Sequence, residues 1–234
     1  MVKFRRSVIS SVLAAAMAAS MALPAFAATT EGFNGLTDET KSVLEGSNAL
    51  ENIPEAVFGL LKDRGGSINL VDSIYHEGEE VYGIYYLKGE DPNRIEVSEK
   101  TMRDGFPNML PYYLAHEVGH FIYFNSDVSQ ERENVLQERY ERLKPGDVDG
   151  RMTVEEVFAD GYASYVSNGG YGMTDTEKEM FEAYEDSVVN QYCEAHPDYT
   201  APAETEAEPD YASMPLWKLA SYGPAIANKY IQKN

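Results

Sequence analysis

The run Met109-Leu110-Pro111-Tyr112-Tyr113-Leu114-Ala115-His116-Glu117-Val118-Gly119-His120-Phe121-Ile122-Tyr123-Phe124 decides how the chain reads. Its spacing predicts one helix. Pro111 is tolerated in the first turn, where an amide would have no partner inside the helix anyway. Tyr113, His116, His120 and Tyr123 share one side, while Leu114, Val118, Phe121 and Ile122 share the other, the expected core face. Two imidazoles four residues apart emerge about 6 Å from one another and can grip a single ion. Gly119 leaves room beside them.

On the N-terminal side, residues 54–61 read as a helix stopped by Arg64-Gly65-Gly66. The hydrophobic period then changes to two. Residues 67–74, 80–87 and 94–98 read as three short antiparallel strands, with Glu77-Gly78-Glu79 as a turn between the first two. The strand at 94–98 is expected to offer an edge for pairing with an extended peptide, or else to be a plain core strand.

On the C-terminal side, helices are expected over 130–143, 153–166, 175–194 and, beyond an acidic loop at 197–215, over 216–231. The order is a small sheet, then the histidine helix, then a helical C-terminal lobe, which is an α+β fold. The domain is expected over 51–234, with 51–125 as the sheet lobe and 126–234 as the helical lobe. Residues 28–50 read as a loose leader with at most one short helix.

H-E-x-x-H on a helix is the pattern of zinc hydrolases, with Glu117 as the base that takes a proton from the attacking water. A zinc site needs a third protein ligand. A histidine ten residues after the first is excluded, because that position is Ser126. The stretch Thr153-Val154-Glu155-Glu156-Val157-Phe158-Ala159-Asp160 offers a glutamate from a later helix. Glu156 and Asp160 share one face, so Glu156 is the expected ligand and Asp160 the carboxylate that orients a zinc-bound imidazole. The competing reading makes Thr153 a helix cap with Glu156 reaching back to it, which would leave Glu155 as the ligand. Ala159 and Ala163 are small enough to let this helix approach the histidine helix closely.

These two motifs together resemble the peptidases related to anthrax lethal factor, a group that includes small secreted Pro-Pro endopeptidases. The resemblance runs from about Gly65 to Val166. It implies an endopeptidase of protein or peptide substrates, with one zinc held by His116, His120 and Glu156, and a preference for proline at the cleaved bond. The family usually places an oxyanion-stabilising tyrosine seven residues before its third ligand. That position here is Asp149, and Tyr162, Tyr192 and Tyr199 are the candidate substitutes.

The N-terminus reads as an export signal. Lys3, Arg5 and Arg6 precede an apolar run over 8–23, and Pro24-Ala25-Phe26-Ala27 supplies a small-x-small cleavage pattern, so the expected cut follows Ala27 and 1–27 is the signal peptide. The mature chain is then extracellular with no membrane span, and it reads as a monomer. The net charge of −20 argues against nucleic acid and anionic lipid as partners. A lone cysteine, Cys193, means the domain folds without an internal disulfide and reads as a small buried residue. His76 and His196 read as surface residues. Asp147-Val148-Asp149-Gly150 resembles half of a calcium loop, but Pro145 stands at the first ligand position and a plain turn is the better reading. Two other functions stay open: a catalytically silent relative that binds a surface protein through the same groove, and an unrelated helical protein with a chance motif.

Overall fold

The computed structural model describes residues 30, 32–147 and 150–199. The expected signal peptide, the acidic loop from residue 200 on, the last helix and the Val148-Asp149 pair lie outside these residues. Among the described residues the fold is α+β, with a small sheet followed by helices. No described helix is long and apolar enough to cross a membrane.

Within the segment read as a loose leader, the described residues form two short helices that pack on the core. Helix α1 (Asp38–Glu45) opens with Thr37, whose hydroxyl accepts from the Thr40 amide while Thr40 returns the bond to the Thr37 amide. Helix α2 (Asn48–Glu51) is capped in the same sense by Ser47. Leu44, Ala49 and Leu50 enter the main core. Helix α3 (Glu55–Asp63) follows, and its predicted stop at Arg64-Gly65 is observed, with Gly65 at φ 75°.

The strands are β1 (Ser67–Val71), β2 (Ile74–His76), β3 (Glu79–Val81), β4 (Gly83–Tyr86) and β5 (Arg94–Ser98). The expected three antiparallel strands need correction. Each of the first two runs is broken in two, and the main sheet has the order β1-β5-β4. β1 runs parallel to β5, with Ser67 opposite Arg94, and only β4 is antiparallel to it. A parallel pair needs a long crossover, and the whole of β2, β3 and β4 supplies it. β2 and β3 form a separate hairpin around Glu77 and Gly78, both at positive φ as a two-residue turn requires. The outer side of β1 is covered by a bridge to Asn34. Among the described residues β4 is therefore the open edge of this sheet.

Helix α4 (Lys100–Arg103) leads through a 3-10 turn into α5 (Leu110–Asn125), which carries both histidines. α5 was expected to be two-faced, but it is enclosed on nearly every side. Buried Ile95 and Val97 of β5 lie in the core with Leu114, Val118, Phe121 and Ile122. α5 packs most extensively on α7 (Val154–Asn168), which together with α6 (Gln130–Leu143) and α8 (Asp175–Ala195) makes the helical lobe. The α5–α7 crossing is tight: a Cβ on Gly119 would stand 2.9 Å from the Ala159 Cα, so glycine is required for this approach.

Behind α7, the fully buried Tyr162 donates its hydroxyl to Glu185 of α8. Burial lifts the Glu185 carboxyl from 4.5 to about 7. The folded state then binds this proton more tightly than the unfolded chain, so stability falls as pH rises from about 4.5 through 7. Glu185→Gln keeps an acceptor for Tyr162 and removes the ionisation. It is expected to raise the melting temperature at about pH 8 and to leave it nearly unchanged at about pH 4. Equal melting shifts at both pH values would refute that account.

Candidate metal centre

Two helices build the site. α5 supplies His116, Glu117 and His120, and α7 supplies Glu156 and Asp160. The hydroxyl of Thr153 caps α7 by accepting from the Glu156 amide at 3.3 Å. The Glu156 side chain does not return the bond. Its carboxylate turns to the histidines instead, with Oε2 3.4 Å from His116 Nε2 and Oε1 3.5 Å from His120 Nε2. The cap and the ligand role are therefore compatible, because the cap uses only the backbone of Glu156.

The two imidazole Nε2 atoms stand 3.1 Å apart. His116 Nδ1, on the far side of its ring, meets Asp160 Oδ1 at 2.9 Å. That contact fixes which ring nitrogen His116 turns inward, as expected for an orienting carboxylate. His116, His120 and Glu156 are the group among the described residues that could hold a metal ion, their ligand atoms all lying within 4.8 Å of one another.

The charges around the two rings act on them in opposite directions. Burial opposes charge on His116, but its hydrogen bonds to Asp160 and Glu156 outweigh this and raise its pKa to about 10. Burial and the neighbouring His116 push His120 down to about 4. The hydrogen bond from His116 holds Glu156 below the usual carboxylate range. The acidic partners thus favour the charged form of His116, while burial favours the neutral form of His120. An incoming cation would displace the His116 proton and take its place among the same acceptors.

The Glu117 side chain lies against β4 and is coupled by charge to His116, Glu156 and Asp160. It is 5 % exposed, and burial lifts its carboxyl to about 8 despite the pull of His116. β4 passes directly over it, since a Cβ on Gly83 would lie 3.0 Å from the Glu117 carboxyl carbon. Next to Gly83, the Tyr82 ring stacks on Tyr113 of α5 with centroids 4.5 Å apart.

No family model and no curated protein matches this chain.

The strand at 94–98, which reads in the sequence either as an edge for a peptide or as a plain core strand, is central in the sheet, as the second reading has it. The strand that is both open and beside Glu117 is β4. The sequence carried one sign of it, Gly83 within an otherwise β-rich run, where a strand glycine often marks a close backbone approach. The three candidate tyrosines are all placed elsewhere. Tyr162 is committed to Glu185, and Tyr192 packs against His196 and Tyr199 beside Gly59 of α3. His76 is exposed on the hairpin and His196 pairs with Asp63 at 2.6 Å, both apart from the cluster. Cys193 is half-buried rather than buried. Asp147 accepts from the Met152 and Arg151 amides, as in an ordinary turn.

Proposed function

We propose that the chain is a secreted zinc-dependent endopeptidase acting on extracellular or cell-surface protein. The carrying observation is the spacing of the donor atoms. Ligands about 2.0–2.1 Å from a tetrahedral zinc stand roughly 3.3–3.4 Å from one another. Here the two Nε2 atoms stand 3.1 Å apart, and each faces its own oxygen of Glu156, Oε2 at 3.4 Å from His116 and Oε1 at 3.5 Å from His120, with one donor atom of each residue within 4.8 Å of the others. Two imidazoles and one carboxylate, with a carboxylate behind one imidazole, are also the donor chemistry of catalytic zinc, which leaves a fourth position open.

A bound zinc ion would polarise the scissile carbonyl and acidify water at the site. The protein's own part falls to five residues. His116, His120 and Glu156 would hold the ion, and Asp160 would keep His116 turned toward it. Glu117 accepts a proton from the attacking water and delivers it to the leaving amine. Its raised pKa suits this relay, because a base near neutrality can both take and return a proton. The open edge of β4 can pair with an extended substrate backbone and lay it past Glu117.

The catalytically silent reading draws on one observation, that none of Tyr162, Tyr192 and Tyr199 faces the cluster. One experiment separates the two. The chain lacking residues 1–27 is loaded with zinc and incubated with a peptide library, and products are identified by mass spectrometry. Internal cleavage that stops with a chelator and returns with zinc is expected. Zinc retention without cleavage supports the silent binder, and absence of bound zinc by native mass spectrometry sinks both readings.

A further inference from the structure

Gly83 sits in β4 with no positive φ, in neither a turn nor a bulge. A glycine there costs strand stability relative to other residues. Conformational need does not explain it. Its surroundings do: an added Cβ would stand 2.9 Å from the Glu117 Cγ, 3.0 Å from its Cδ and closer still to Oε1. The three nearest heavy atoms all belong to Glu117. The missing side chain therefore leaves space for one group, the carboxylate of the residue between the two histidines' turns.

We infer that Gly83 is a positioning residue, whose bare backbone lets β4 close on Glu117 and sets where its carboxylate lies relative to the metal-holding residues. This rests on the proposed peptidase reading for its catalytic consequence, but the steric relation stands independently of it. Any side chain at 83 must push the end of Glu117 aside. That end is flexible, so the fold can absorb the change. A proton relay cannot, because displacing a reacting group by about 1 Å can cost on the order of a hundredfold. The atoms nearest to position 83 belong to Glu117 and not to His116, His120 or Glu156, so metal binding is expected to be left in place.

The test is Gly83→Ala in the zinc-loaded chain, alone and combined with Glu117→Ala. Three readouts are taken: zinc content, kcat and KM on a peptide cleaved by the parent, and melting temperature. The expected result is full zinc, KM within about twofold, and kcat lower by about tenfold to a hundredfold. A merely structural role would not confine the loss to kcat. Gly83→Ala should also lower the melting temperature of the parent yet leave that of Glu117→Ala unchanged or higher, because the colliding group is gone. Parental kcat in Gly83→Ala overturns the inference. So does an equal melting loss, or a failure to fold, in both backgrounds, which would place the collision elsewhere. If the parent cleaves nothing, the peptidase reading fails, and the melting comparison still decides whether Gly83 positions Glu117.

Discussion

Glu156→Gln is expected to lose metal affinity by more than about a hundredfold, while Glu155→Gln stays within a few-fold of the parent; replacing even an outer carboxylate behind a ligand costs about 10- to 100-fold. Glu156 alone of the two is placed against both imidazoles, 3.4 and 3.5 Å from their Nε2 atoms. The glutamine amide keeps the size of the side chain but neither its charge nor its two equivalent oxygens. The fold should survive the change. Thr153 caps α7 through the Glu156 backbone amide, which the substitution leaves intact. The Glu156 side chain is 46 % exposed, so no core contact is lost. Glu155 influences His120 only through its charge at a distance, which predicts a small effect. Isothermal titration with zinc checks both variants. Loss of zinc by Glu155→Gln with retention by Glu156→Gln would remove Glu156 from the site and Asp160 with it.

Local chemistry explains what could be seen in advance. The histidine helix was legible because its residues act through spacing along one element: Pro111 marks its start, and His116 and His120 need only the helical repeat to converge. Glu156 and Asp160 were legible for the same reason on α7. The pairing of strands was not. Ile95 and Val97 alternate with Arg94 and Glu96 whether β5 is central or at an edge, because alternation reports which face is buried and says nothing of what lies on either side. The direction of β1 relative to β5 depends on a crossover of more than twenty residues, which leaves no local mark. Leu44 and Leu50 belong to helices too short to show a periodicity, although Thr37 and Ser47 gave capping signals in plain view. The role of Gly83 needed the sheet to be laid on α5 before it had any meaning.

Glu117→Gln is expected to keep zinc and fold and to lower kcat by about a hundredfold or more, the range typical of a removed general base being about 10²–10⁴. Zinc should stay because the ligand set is His116, His120 and Glu156, with Glu117 outside it. The fold should stay because the amide nearly matches the carboxyl in shape under β4. Neutrality also favours the variant: burial raises the Glu117 carboxyl to about 8, so its ionisation costs the fold stability as pH rises through that value, and glutamine removes this cost. KM should change little, because the substrate backbone would be held by β4 and the ion rather than by Glu117. Two outcomes would overturn the assignment. Parental turnover in Glu117→Gln would show that another group moves the proton. Loss of zinc would show that Glu117 belongs to the ligand set, and the donor spacing of the other three would then have to arise for a different reason.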